Sequence, residues 1–99
     1  MNAEKFTMII QQYRKQFESD GIGKIDYPHG DILDDARHSL EHCHGMLDRM
    51  DEFIKEKRFP KLNRWLGFIQ GVLWTNGLVT MTDLKNTNKP DNEEYKKAR

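Results

Sequence analysis

Apolar residues recur along this chain at steps of three and four, the spacing that lines one side of a helix. Phe6, Ile9, Ile10, Tyr13 and Phe17 make the first such stripe. Asn2 is a capping residue type ahead of it. Asp20-Gly21 follows it, and glycine takes the left-handed conformation that closes a helix. A first helix is therefore predicted from Asn2 to about Ser19. Gly21 to Gly30, GIGKIDYPHG, is rich in residues that resist regular structure. It reads as a loop that lets the first helix fold back, with Ile22, Ile25 and Tyr27 available to pin it to the core. Its GxG lacks the third glycine and the lysine-serine pair of a phosphate loop.

A longer helix is predicted from Asp31 to about Arg58. Leu33, Ala36, Leu40, Cys43, Leu47, Met50 and Ile54 form an unbroken heptad seam, which Ile32, Met46 and Phe53 widen. Asp31, Asp34 and Asp35 in the first turns, and Lys55, Lys57 and Arg58 in the last, suit the helix dipole. Gly45 is the expected weak spot, destabilising by about 1 kcal/mol relative to alanine.

Phe59-Pro60 separates this helix from a third, about Lys61 to Thr75. Leu62, Trp65, Leu66, Ile69, Val72 and Leu73 form its apolar side, and Phe68 and Trp74 carry apolar character around the cylinder. A helix apolar on more than one side is expected to be central. Gly67 and Gly71 share a side and predict close packing against the long helix, or else the floor of a groove. Asn76-Gly77 ends the helix, and Thr80 with Asp83 approximates a capping box for a short fourth helix, about Met81 to Asn88. Met81 and Leu84 are its expected anchors.

The pattern predicts an all-α fold. It is a small helical bundle built on a hairpin of a long and a shorter helix, with a flanking N-terminal helix and a short C-terminal one. Residues 1–90 make one helical domain and 91–99 a flexible charged tail. At ~1.5 Å per residue the long helix would span roughly 42 Å and the third about 22 Å. The seam then outruns its partner within the chain, which points to a homodimer through the second helix.

Composition narrows the function. Of 99 residues, 36% are hydrophobic and 32% charged, so the core must be concentrated on a few sides. Sixteen basic and sixteen acidic residues cancel, which argues against bulk binding to nucleic acid. Cys43 is the only cysteine, so no disulfide can form within the chain. No leader pattern or run of membrane-spanning length stands out, and a cytoplasmic protein is expected.

His38, Glu41 and His42 match the H-x-x-E-H pattern of inverted zinc proteases. A catalytic zinc needs a third ligand and a cleft. Both histidines fall opposite the seam, on the wet side, so solvated histidines are the favoured reading and a surface metal at His38 and His42 the weaker one. His44 neighbours the seam and is expected to be partly exposed. Cys43, on the seam, reads as a small buried hydrophobe. Lys55, Lys57, Arg58, Lys61 and Arg64, against Glu56 alone, form a basic corner suited to an anionic ligand or an acidic partner. A helix-turn-helix over Phe68 to Asn88 fits poorly, because its turn glycine comes late and its second helix is short and carries Asp83. No catalytic constellation or cofactor fingerprint is visible, so no enzymatic activity and no cofactor are expected.

The segment N-R-W-L-G-F-I-Q-G-V-L-W-x-x-G-L-x-T-x-x-x-L, Asn63 to Leu84, is followed by Asn88-Lys89-Pro90 and preceded by H-x-M-L-D-x-M-D-E-F from His44 to Phe53. It resembles small uncharacterised accessory proteins of tailed bacteriophages that carry an R-W-L-G-F-x-Q-G segment. The likeness covers Arg37 to Pro90 and implies context, not an activity: an accessory phage protein in a bacterial cytoplasm that binds host or phage machinery. The expected function is thus a non-enzymatic protein that binds and modulates a host or phage protein, with Arg58, Lys61, Arg64, Trp65, Phe68 and Trp74 as its contacts. The alternatives are a binder of an anionic, nucleotide-like small molecule and a DNA-binding regulator.

Overall fold

The computed structural model describes residues 1–89; Pro90 and the predicted tail at 91–99 lie outside the described residues. The described chain is all-α, with α1 at Ala3–Ser19, α2 at Ala36–Lys55, α3 at Phe59–Thr75 and α4 at Met81–Asn88. No helix among the described residues is long and apolar enough to cross a membrane.

α1 forms as its sequence predicts. The Asn2 side chain accepts the Lys5 N–H at 2.9 Å, and all five residues of the stripe are buried. α2 is shorter than the pattern suggests. It starts at Ala36, where the Asp35 side chain accepts the Arg37 N–H at 2.8 Å. The Tyr27 hydroxyl holds residues 32–34 out of the helix. Its oxygen lies 3.1 Å from the Ile32 carbonyl and 2.9 Å from Asp34 Oδ1, and it accepts the Asp34 N–H at 3.2 Å. Ile32 and Leu33, expected on the seam, are therefore exposed.

This shortening changes the architecture. Twenty residues of α2 span about 30 Å and seventeen of α3 about 25 Å, so the two arms of the hairpin nearly match. The working seam, Cys43, Leu47 and Met50, is buried in one core with Phe6, Ile9 and Ile10 of α1 and Leu62, Leu66 and Ile69 of α3. α2, not α3, is the central helix, and its length leaves no surplus seam for a second copy. α1 and α3 also meet, through the stacked Phe6 and Phe59 rings at 6.1 Å and through Tyr13 and Gln70.

Gln70 is a buried polar residue that periodicity does not flag. Its Nε2 donates to the Tyr13 hydroxyl at 3.1 Å and to Asn88 Oδ1 at 2.7 Å, and its Oε1 accepts from Asn88 Nδ2 at 2.8 Å. Each buried amide atom thereby finds a partner, and α4 is tied to α1 and α3. The Thr80–Asp83 capping box forms in both directions, at 2.9 Å each way. Met81, the expected anchor, is exposed instead, and no residue of α4 is buried.

The loop from Asp20 to Asp35 lies across α2. Ile22 is buried, and the Ile25 N–H donates to the Glu41 carbonyl at 3.3 Å. The crossing comes so close at Gly45 that a methyl group there would sit 2.7 Å from the Ile25 carbonyl oxygen. Gly45 is therefore not a weak spot: only glycine lets the two backbones pass. Charge reinforces the crossing, since Arg14 of α1 reaches Asp51 at 2.7 Å and Asp48 at 3.2 Å, and Lys24 of the loop reaches Asp48 at 3.0 Å.

α1, α2 and α3 all end in the same way, with a left-handed residue followed by a hydrogen bond back to the last turn. Gly21 and Gly77 fill that position at φ +69° and +72°, as predicted, but Lys57 fills it for α2 at φ 56°. An L-residue there is strained by roughly 1–2 kcal/mol.

Two stability changes follow. Gly45→Ala should destabilise by about 1–2 kcal/mol, because displacing the Ile25 backbone outweighs the gain in helix propensity. Lys57→Gly should stabilise by about 0.5–1 kcal/mol. Denaturant unfolding midpoints at constant m-value check both.

Candidate interaction surface

The core uses one side of α3, Leu62, Leu66, Ile69 and Leu73. The opposite side, Arg64, Gly67, Phe68, Gly71, Trp74 and Thr75, is exposed along its length. Phe68 keeps 54% and Trp74 50% of its surface in solvent, well beyond what a core aromatic shows. Between them lies a shallow depression of about 590 Å³, floored by Gly67 and Gly71 and walled by Leu33 of the loop and Ser39 of α2.

The glycines do not pack against α2. A methyl group on Gly67 or Gly71 would meet nothing within 4 Å among the described residues. The close-packing expectation is thereby corrected in favour of the groove floor. Two glycines inside an exposed helix destabilise it by about 1 kcal/mol each relative to alanine, and no contact in the described chain offsets this.

The basic corner lies at the N-terminal end of the same helix. Phe53 of α2 is buried, and three groups gather on its ring: Trp65 edge-on at 4.8 Å, the Lys61 ammonium at 4.7 Å and the Arg58 guanidinium at 5.1 Å. Cations over an aromatic face are attracted by its quadrupole, by about 0.5–1 kcal/mol at exposed sites. Trp65 is half-buried, so it is a support for the corner more than a free contact. Arg58 also sits 3.6 Å from Glu56. No acidic residue occurs between Glu56 and Asp83, so the N-terminal part of α3 carries positive charge alone.

The loop joins these features. Three histidines of α2 strap it down, and the wet-side assignment of His38 and His42 is corrected accordingly. The His44 Nδ1 donates to the Ile22 carbonyl at 2.9 Å; the ring is buried against Phe17 at 5.3 Å, and its Nε2 has no partner. The His42 Nδ1 accepts the Tyr27 N–H at 3.1 Å, which places that ring's proton on Nε2. A metal bound through Nε2 requires the opposite tautomer. The His38 Nδ1 pairs with Asp34 Oδ1 at 2.7 Å. No group of three His, Cys, Asp or Glu residues able to hold a metal occurs among the described residues. A hollow of about 460 Å³ opens between the loop, α2 and Trp65, with Lys24, Arg49, His29 and His42 around it. Burial pushes the Cys43 thiol up to about 12, far from a nucleophile's range.

The surface is thus assembled from α3, legible in sequence, and from Leu33, Ser39 and the loop, which are not. Leu33 looks like a seam residue, and only the Tyr27 hydroxyl bonds that hold residues 32–34 out of α2 reveal it as a wall. Comparison with family models, with curated proteins and with solved structures finds no match to this chain.

The His38–Asp34 pair gives the loop a pH dependence. The bond to Asp34 raises His38 above its ordinary 6.5, and the bond to His38, aided by Tyr27, holds Asp34 below its ordinary 3.8. The histidine's contribution is complete below 6.5 and is lost as pH rises through its raised value; the carboxylate's is lost as pH falls through its lowered value. His38→Gln should therefore lose more stability relative to wild type at pH 5.5 than at pH 8.5, read from unfolding midpoints about three pH units apart. At the groove, Gly67→Ala and Gly71→Ala should each stabilise the chain by about 1 kcal/mol in thermal unfolding.

Proposed function

We propose that this is a non-enzymatic interaction protein whose working surface is the outer side of α3, from the basic corner to Trp74. The observation that carries this reading is the pair of half-exposed aromatics, Phe68 and Trp74, flanking a glycine floor that nothing in the described chain fills. Aromatic and arginine side chains dominate interface energetics, and a contiguous apolar patch on a small domain marks a contact site. The cation-only stretch at Arg58, Lys61 and Arg64 suits an acidic surface on the partner.

The likeness to R-W-L-G-F-x-Q-G proteins of tailed bacteriophages supplies the setting. In that setting the protein works in the bacterial cytoplasm and binds and modulates a host or phage protein. Affinity capture from bacterial lysate tests this. Wild type is expected to retain a stoichiometric protein, and Arg58→Glu/Lys61→Glu, which reverses the corner, should retain at least about tenfold less of it. Recovery of nothing stoichiometric by wild type counts against the proposal.

A second reading is favoured by the hollow beside Trp65. Its volume, about 460 Å³, falls in the range of small-molecule sites, and Lys24 and Arg49 at its edge suit an anionic ligand. A nucleotide at a hundred times its Kd would add about 2.7 kcal/mol, visible in a thermal-shift panel.

A further inference from the structure

The uncovered side of α3 has an internal symmetry. Counted from Gly71, Phe68 and Trp74 lie three residues to either side, and Gly67 and Thr75 lie four. Steps of three and four keep residues on one side of a helix. If two such helices cross antiparallel about a two-fold axis at Gly71, every position meets its counterpart. Phe68 faces the second copy's Trp74, Gly67 faces its Thr75, and glycine faces glycine on the axis. A two-fold interface requires this self-complementarity.

Space and charge agree with that arrangement. The open space above Gly67 and Gly71 admits another helix backbone at close range. Arg64 lies seven residues from the axis, so in an antiparallel pair it stands just past the C-terminal end of the facing helix, at Thr75. α3 has no basic residue in its own last turn, and a cation at that end is favoured by the helix dipole. A parallel pair would instead set Arg64 against Arg64. Arg58 and Lys61 lie about 20 Å and 15 Å along the helix from the axis, outside the crossing.

We propose that the occupant of the groove is a second copy of this chain, joined antiparallel through α3 about a two-fold axis at Gly71. The interface lies on α3 and not on the seam of α2, which the chain covers itself. The inference rests on reading the outer side of α3 as a contact surface. It assigns Phe68, Gly71 and Trp74 to the dimer and leaves a basic corner at each end for another partner. At roughly 150–250 Å² per aromatic, half-exposed, four rings bury about 400 Å² between them. With Leu33, Thr75 and the glycine backbone around them, this builds toward the roughly 1,000 Å² at which specific interfaces begin, so the dimer is reversible.

Sedimentation velocity of the full chain, from about 1 to 300 µM, reads the state. The expected result is a reversible dimer whose Kd rises at least about tenfold in Gly71→Leu. Circular dichroism should show that variant fully helical, because the site is exposed and leucine suits a helix better than glycine. Oxidation of a Gly67→Cys/Thr75→Cys double variant tests the register. It should link into a covalent dimer, whereas each single variant should not, because identical positions lie about 12 Å apart along the axis. Cys43 is buried and does not compete. A monomer at every concentration, a dimer indifferent to Gly71→Leu, or single variants that link as readily as the double one would each overturn the proposal. None of these outcomes bears on the corner, whose reversal by Arg58→Glu/Lys61→Glu tests the partner-binding reading separately.

Discussion

The burial of one seam, Cys43, Leu47 and Met50 of α2, between α1 and α3 is the interaction on which the rest of the structure depends. A central helix needs cover on two sides, and this chain has two long helices to give. Once both are committed to α2, α4 is the one described helix left to shield the far side of α3. It has eight residues, none buried, and is held chiefly by the amide pair of Gln70 and Asn88. The exposure of Phe68 and Trp74 is thus a consequence of the helix count and not an accident at two positions. Apolar surface left in water is unfavourable by about 25 cal/mol per Å², which is the driving force offered to whatever covers it.

The loop between α1 and α2 is the second determinant. It crosses α2 at contact distance over Gly45 and is held there by backbone, histidine and charge contacts drawn from one helix side. His38, His42 and His44 occupy three heights on α2, and each does a different thing: one pairs with a carboxylate, one accepts a backbone N–H, one donates to a carbonyl. Their ring nitrogens are engaged in positioning the loop. That is a structural use of residues whose spacing suggests a metal. The loop in turn places Leu33 beside Phe68 and so gives the groove its second wall.

Charge divides α3 into two regions. Its N-terminal part carries only cations, some of them resting on the Phe53 ring; its middle is uncharged and floored by glycine. The first kind of surface steers and selects a partner by long-range attraction. The second binds at short range through shape. Their separation along one helix lets a small domain carry two contacts without one masking the other.

The sequence by itself determined the four helices, the stripe of α1, the glycine ends at Gly21 and Gly77, the capping box at Thr80 and Asp83, and the buried side of α3. All of these are local: periodicity, caps and left-handed glycines act within a few residues. Tertiary structure decided what no local rule contains. Tyr27 reaches over to hold residues 32–34 out of the helix that their apolar spacing invites. Gly45 faces a carbonyl twenty residues earlier in the chain, and so changes from a weakness to a necessity. Gln70 is buried because Tyr13 and Asn88 converge on it from other helices. Which of the two apolar sides of α3 would face the core was equally undecided by its own residues, because an apolar stripe states a need for cover without naming what supplies it.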